Sequence, residues 1–221
     1  MKKFNWWYLL LLLPFALGLY VALSGDTYKE AERAVYDFMK LPVFDFDAFW
    51  YAFTYLGSAV GAIIVTVIIF ITSLILQICG KKALFSFGIP VTITVIVSRV
   101  INMIIKEVVG RPRPEWLEFS QSENSFPSGH AMNNMSLYLA LLFVILLVVS
   151  APKWRTFFKI VLIALPFVIG ISRIYFGVHY VSDVVAGWAI GALVAIVCHR
   201  VYFKIHNKIK EKHDAKNRIC A

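Results

Sequence analysis

Long apolar runs alternate with short polar segments along the whole chain. Six such runs extend over about residues 6–23, 49–78, 84–105, 132–149, 160–171 and 184–203. Most of them approach or exceed the roughly 20 apolar residues that a helix needs to cross a bilayer. The pattern predicts an all-α integral membrane protein with six transmembrane helices, which form a single domain over residues 1–221.

The first run, which follows Met1-Lys2-Lys3, has two interpretations. Ala22-Leu23-Ser24 resembles the small-residue cleavage site that ends a signal peptide. The run is long for the apolar part of a signal peptide, however, and long enough to span a bilayer. We therefore favour a retained first helix.

The segment between the first two runs is polar and acidic. From Gly25 to Asp47 it holds six acidic and three basic residues. Between Tyr28 and Met39 the apolar residues follow a helical rhythm, at Ala31, Ala34, Val35 and Phe38. We predict a short amphipathic helix on the membrane surface in this first outer loop, with an ordinary solvated loop as the alternative.

Composition and charge agree with a membrane protein. Of the 221 residues, 60% are hydrophobic, compared with about half in a soluble domain. The net charge is +9, but the basic residues lie in short clusters between apolar runs. Such clusters are typical of cytoplasmic loops, so we attribute the charge to topology and expect no nucleic-acid partner.

The basic clusters fall at alternate ends of successive runs. They are Lys2/Lys3, Lys81/Lys82, Lys153/Arg155/Lys159 and the tail over residues 204–218. Six helices in the plasma membrane with both termini in the cytoplasm place all four clusters on the cytoplasmic side. The acidic loop and the segments 106–130 and 172–183 then meet at the extracytoplasmic face, where we expect the functional site.

Three cations gather where the third run ends. Lys106, Arg111 and Arg113 lie close to two prolines, on the face where topology does not favour positive charge. A snorkelling lysine or a solvated arginine would explain any one of them. The three together favour an oxyanion site, because arginine donates bidentately and lysine supplies a point charge.

The fourth run is preceded by Pro127-Ser128-Gly129-His130. Ser128 is a natural N-cap, and Gly129 lets the backbone approach a ligand closely. The free N–H groups of a first helical turn bind anions, and His130 would stand beside such an anion as a proton donor. A purely structural turn explains these four residues equally well.

A second candidate cluster follows the fifth run, in the stretch from Ser172 to Asp183. His179 and Asp183 are four residues apart, which on a helix places them within hydrogen-bonding reach. A carboxylate on one imidazole nitrogen leaves the other basic and nucleophilic. Alternatively, Asp183 caps the sixth helix and His179 is a bystander; both interpretations can hold together.

In order, the three segments read Lys-x6-Arg-Pro, Pro-Ser-Gly-His and Ser-Arg-x5-His-x3-Asp, and all eleven specified positions are present. The chain resembles the type 2 phosphatidic acid phosphatase superfamily, and within it the six-helix integral-membrane lipid phosphatases. The resemblance implies an enzyme that hydrolyses the phosphate or diphosphate headgroup of a membrane lipid at the outer membrane face. It implies no metal and no other cofactor.

The resemblance also implies a role for each matching residue. His179 attacks phosphorus to give a phosphohistidine, and Asp183 orients it. His130 protonates the leaving oxygen and then activates water. Arg111 lies outside the pattern, and we expect it to contact the catalytic residues rather than the phosphate itself. The residues expected to hold the phosphate are Lys106, Arg113, Ser128, Gly129 and Arg173.

Undecaprenyl diphosphate, phosphatidylglycerophosphate and phosphatidic acid all fit a site at this position. The compact chain and its short acidic first loop resemble the bacterial enzymes. The same motifs occur in soluble vanadium-dependent haloperoxidases, which six apolar spans argue against. A non-catalytic lipid-binding or transport protein on the same scaffold is the alternative function, and no oligomeric state is predicted.

Overall fold

The computed structural model of the chain describes residues 6–80, 87–118 and 124–219. These residues contain helices, turns and irregular segments, with no strand among them. Short 3-10 helices occur at Trp6–Leu11, Gly25–Tyr28 and Pro42–Phe44. The α-helices within the described ranges are α1 (Leu12–Leu23), α2 (Lys29–Met39), α3 (Asp47–Leu56), α4 (Ala59–Ile78), α5 (Ile89–Val109), α6 (Gly129–Val148), α7 (Pro152–Tyr175) and α8 (Val181–Ile219).

Five helices of the described chain, α4 to α8, are long and apolar enough to cross a membrane. A sixth span results if Leu9–Leu23 and Gly25–Met39, which meet at a bend of 117°, are counted as one. The predicted fold class, an all-helical multi-pass membrane protein, is confirmed.

The first apolar run combines two kinds of helix. The 3-10 helix Trp6–Leu11 leads directly into α1, which alone has only 12 residues. Because a 3-10 helix rises about 2.0 Å per residue, the two extend for about 30 Å, the thickness of the hydrocarbon core. α1 packs along α8. Gly18 permits this packing, since a Cβ there would lie 2.9 Å from the Ser182 carbonyl oxygen.

The second run does not form the single predicted helix over 49–78. α3 ends at Leu56 and α4 begins at Ala59. The Ser58 hydroxyl accepts a hydrogen bond from the Gly61 N–H at 3.1 Å, which starts a new helix. α3 packs against α7, whereas α4 contacts α5 and α6. The break therefore lets the two halves of one apolar run pack on different neighbours.

The last helix is longer than the predicted span over 184–203. α8 continues to Ile219 and has 39 residues, so the basic tail is helical over its described part. The tail is rich in lysine and arginine, which are good helix formers. The helix therefore continues beyond the point where the apolar pattern stops.

Helix α6 lies at the centre of the bundle, against α5, α7 and α8. Ser136 Oγ lies 3.0 Å from Ser98 Oγ on α5 and 2.9 Å from the Gly191 carbonyl oxygen on α8. A Cβ on Gly191 would lie 2.4 Å from the Met132 carbonyl oxygen. Small residues thus bring α6 and α8 close together, as is common between membrane helices. This contact fixes two of the helices that carry the candidate site.

Candidate active site

A cavity of about 540 Å³ lies between α4, α5 and the start of α6. Its wall includes five of the predicted site residues, namely Lys106, Arg113, Gly129, His130 and His179. The other four lie behind this wall with 0–7% of their surface exposed, namely Arg111, Ser128, Arg173 and Asp183. The structure thus brings all nine predicted residues to one end of the bundle.

The spacing of His179 and Asp183 predicts that both stand on one helix. In the structure, His179 lies in the turn before α8, which begins at Val181. Its Nδ1 lies 3.4 Å from Asp183 Oδ2, in the first turn of α8. The same oxygen accepts a hydrogen bond from the Tyr180 N–H at 3.0 Å, as in the second half of a capping box. Asp183 therefore makes the contacts that both interpretations require, since it caps α8 and faces His179.

The opposite edge of the His179 ring, which carries Nε2, faces the cavity. Its Nε2 lies 3.3 Å from Arg113 Nη1, which also donates to the Val178 carbonyl at 2.7 Å. Burial lowers the pKa of His179 to about 3, and the charges of Arg113 and Arg173 act in the same direction against the opposing effect of Asp183. The ring is therefore neutral at pH 7. With its Nδ1–H directed to Asp183, the lone pair is on Nε2.

Arg111 is the buried counter-ion of Asp183. Its Nη1 lies 2.6 Å from Asp183 Oδ1 and donates to Ser182 Oγ at 2.8 Å. Its guanidinium also stacks over the Tyr180 ring, 3.8 Å from the centroid. The Ser125 hydroxyl donates to the second carboxylate oxygen. Sequence reasoning missed this ion pair and Ser125, because no motif spacing relates either residue to Asp183.

A second carboxylate reaches the start of α8 from α2. Glu32 is buried on α2 and accepts hydrogen bonds from the Val181 N–H at 2.7 Å and the Ser182 N–H at 3.2 Å. It also accepts from the Ser182 hydroxyl. Glu32 thus satisfies first-turn donors of α8 and complements its dipole. No feature of the sequence around Glu32 indicated this contact.

The contacts of α2 bear on the predicted amphipathic helix. A helix forms at Lys29–Met39, close to the predicted bounds, and packs against α7 and α8. Through Glu32 it supports the first turn of α8. Its position on a membrane surface stays a prediction.

Two further cations are anchored by polar partners. Arg173 Nη1 donates to the Thr54 hydroxyl on α3, while its Nε has no partner among the described residues. Lys106 Nζ donates to the Asn124 carbonyl, and Asn124 Nδ2 donates to the Lys106 carbonyl at 3.1 Å. The two charges are therefore held by α3 and by the loop before α6. Lys106 shares the cavity wall with both histidines, and the charge of Arg173 acts on His179.

The start of α6 supplies backbone donors. Ser128 Oγ accepts from the Ala131 N–H at 3.4 Å, and the Ser128 N–H donates to the Asp183 carbonyl at 3.0 Å. The N–H groups of Gly129 and His130 belong to the first turn, where no intrahelical acceptor is available. A Cβ on Gly129 would lie 3.1 Å from Asn102 Oδ1, so glycine keeps this part of the cavity open.

The arrangement suits phosphoryl transfer. A neutral imidazole nitrogen, a second histidine, several cations and helix N–H donors surround one cavity, and this chemistry needs mainly positioning and charge stabilisation. In the described ranges, no three His, Cys, Asp or Glu side chains converge as metal ligands.

The chain is similar in sequence to known proteins. Phosphatidylglycerophosphatase B of Bacillus subtilis (strain 168) is 36% identical over 100 residues, 43% of this chain and 48% of that protein. An undecaprenyl-diphosphatase of Sulfolobus acidocaldarius is 29% identical over 117 residues, 50% of this chain and 52% of that protein. The chain thus spans about half the length of these curated relatives.

A solved structure shares the fold over nearly its full length. The transmembrane PAP2-type phosphatidylglycerolphosphate phosphatase of Bacillus subtilis superposes with a TM-score of 0.77 at 24% identity, over 91% of this chain and 98% of that one. The model of the PAP2 superfamily matches residues 83–207, more than half of the chain. The match includes every segment that carries the motifs, and the chain belongs to the PAP2 superfamily.

Proposed function

We propose that the protein is a membrane lipid phosphatase that acts as a single domain over residues 1–221. It hydrolyses the phosphate or diphosphate headgroup of a lipid at the extracytoplasmic face of the plasma membrane. The observation that carries the proposal is the cavity that holds His179 and His130 beside Lys106 and Arg113. The names of both curated relatives, a phosphatidylglycerophosphatase and an undecaprenyl-diphosphatase, support it.

The proposed reaction has two displacements at phosphorus. In the first, His179 Nε2 attacks phosphorus, the bond to the lipid oxygen breaks, and His130 gives that oxygen its proton. In the second, His130 takes a proton from water, whose oxygen attacks phosphorus and breaks the bond to Nε2. Asp183 holds the Nδ1–H of His179 throughout and stabilises the charge on the phosphorylated ring.

The phosphate oxygens are held by side-chain cations and backbone donors. Lys106, Arg113 and Arg173 supply positive charge, and the Gly129 N–H adds a donor from the start of α6. These groups can do the work that a divalent cation does in other phosphatases. We therefore expect activity that survives EDTA and is blocked by vanadate. Loss of turnover in EDTA that Mg²⁺ restores would contradict this.

The walls of the cavity suit a lipid that enters from the side. Apolar residues of α4 and α5 line part of it, namely Ala59, Ala62, Ile63, Val95 and Met103. A headgroup at the histidines can therefore leave its tails within the bilayer. The alternating basic clusters support a site on the extracytoplasmic face and cytoplasmic termini.

Phosphate release by purified protein in detergent tests the proposal. The substrates are undecaprenyl diphosphate, phosphatidylglycerophosphate, phosphatidic acid and a soluble phosphate ester. We expect His179→Ala and His130→Ala to abolish release, since each removes one partner of the reaction. His199→Ala is the matched control, because His199 packs against Phe143 and Phe203 outside the site. Equal release by all variants would leave only lipid binding or transport on this scaffold.

A further inference from the structure

Arg99 is a charged residue at the midpoint of a membrane helix. It lies halfway along α5, and its exposed side chain lines the same cavity as His179. The described parts of the chain offer it neither a hydrogen bond nor an ion pair. A charge at this depth is costly and usually marks a function, and the reaction described above makes no use of it.

The position of Arg99 relative to Lys106 indicates what it can bind. The two residues are seven positions apart, about two helical turns, so both face the cavity about 10 Å apart along α5. Asn102, which stands between them on α5, and Asn133 on α6 also line the cavity. A lipid whose terminal phosphate is at His179 extends its tails toward the bilayer centre, so Arg99 lies on the side of the leaving group.

We propose that Arg99 binds a second phosphate, which connects the scissile phosphate to the lipid tails. The proposal rests on the lipid phosphatase function and narrows its substrate class. Diphosphate lipids and phosphatidylglycerophosphate both carry such a second anion, and phosphatidic acid does not. Arginine suits this role because its planar fork donates two parallel hydrogen bonds to a phosphate.

The two substrate sources differ in when they need Arg99. In a diphosphate lipid, breaking the bond places new negative charge on the second phosphate, so Arg99 stabilises the transition state and acts on kcat. In phosphatidylglycerophosphate the charge of the phosphodiester does not change during the reaction. With that substrate, Arg99 stabilises the bound substrate and the transition state equally, so its loss raises KM and leaves kcat unchanged.

Kinetics of Arg99→Gln and Arg99→Lys on the three lipids test the proposal. We expect kcat/KM of Arg99→Gln to fall about 10- to 100-fold for the two lipids with a second phosphate, the range for hydrogen bonds to charged groups. The kcat/KM for phosphatidic acid should change less than about twofold. For the two lipids with a second phosphate, Arg99→Lys should lose less kcat/KM than Arg99→Gln. Arg155→Gln is the matched control, because Arg155 lies in the first turn of α7, at the end remote from Tyr175 and the site.

An equal fall for all three lipids, or no fall for any, would overturn the proposal. A lower thermal unfolding temperature of Arg99→Gln together with an equal fall would show a structural role instead. Binding of inorganic pyrophosphate and of inorganic phosphate gives a readout that needs no turnover. Wild type should bind pyrophosphate more tightly, and Arg99→Gln should lose this preference. If the wild type releases no phosphate from any lipid but still binds pyrophosphate more tightly than phosphate, the proposed function fails and the second anion site stands. If the wild type does not bind pyrophosphate more tightly, the second anion site fails.

Discussion

Replacing Arg111 by glutamine leaves Asp183 as an uncompensated charge in the protein interior. Asp183 is fully buried and Arg111 nearly so, with 2.6 Å between Nη1 and Oδ1. Removing one partner of a buried ion pair costs about 3–5 kcal/mol. Ser125 and the Tyr180 N–H still donate to the carboxylate, which favours the lower end of this range. We expect an unfolding temperature lower by about 6–12 °C, at about 2–4 °C per kcal/mol for a chain of this size.

The same change should reduce catalysis. Without Arg111, Asp183 either takes up a proton, which weakens it as an acceptor for the Nδ1–H of His179, or moves away from that group. We expect kcat to fall by about 10²- to 10⁴-fold, the range that positioned proton-transfer groups contribute, with a smaller change in KM. Phosphate release in detergent measures both constants.

A double-mutant cycle isolates the ion pair. Because Arg111→Gln with Asp183→Asn removes both charges, the double variant should be more stable than Arg111→Gln alone. The matched control is Arg33→Gln, since Arg33 forms an exposed pair with Asp37 at 3.7 Å, of a kind worth about 0–1 kcal/mol. The reasoning would be refuted if Arg111→Gln were as stable and as active as the wild type. It would also be refuted if the stability losses of the two single variants simply added in the double variant.

Further predictions concern His179, the start of α8 and the contact between α6 and α8. The His179 ring should stay neutral from pH 7 to 5, because burial lowers its pKa to about 3; a midpoint near 6.5 in ¹⁵N NMR would contradict this. Since the unfolded chain binds that proton more readily, stability should fall as the pH drops from about 6.5 toward 3. Glu32→Ala should cost about 0.5–2 kcal/mol as a lost helix cap, and Glu32→Gln less, in thermal unfolding; a fully stable alanine variant would argue against the cap. Gly191→Ala should lower the free energy of unfolding by about 1–3 kcal/mol, because its Cβ would lie 2.4 Å from the Met132 carbonyl oxygen. An unchanged unfolding temperature would show that α6 and α8 can move apart without loss of stability.

The membrane spans could be predicted because bilayer thickness sets the length of an apolar run. The break at Gly57 and Ser58 could not, since both flanking segments are apolar and hydropathy does not change there. The sequence also did not predict that α8 continues as a helix after Phe203, because there the hydropathy changes while the helix does not. Its composition changes from apolar to charged, but the backbone keeps its helical hydrogen bonds.

The candidate site was predictable where its residues are close in sequence. His179 and Asp183 lie four positions apart, and the motif segments supplied the cavity residues. The supporting contacts join distant parts of the chain. Arg111 and Asp183 are 72 residues apart, Thr54 and Arg173 are 119, and Glu32 and Ser182 are 150. Such partners become visible only when the helices are packed, because no local pattern relates them.

The contacts at the start of α8 also bear on how the protein is made. Glu32, Arg111 and Asp183 belong to early, middle and late parts of a chain that is synthesised from its N-terminus. Until α8 has inserted, the two earlier residues lack the partners that they contact in the finished bundle. We expect incompletely inserted chains to expose these charges and to be degraded by membrane proteases. Insertion of the last helix and assembly of the candidate active site would then be a single event in biosynthesis.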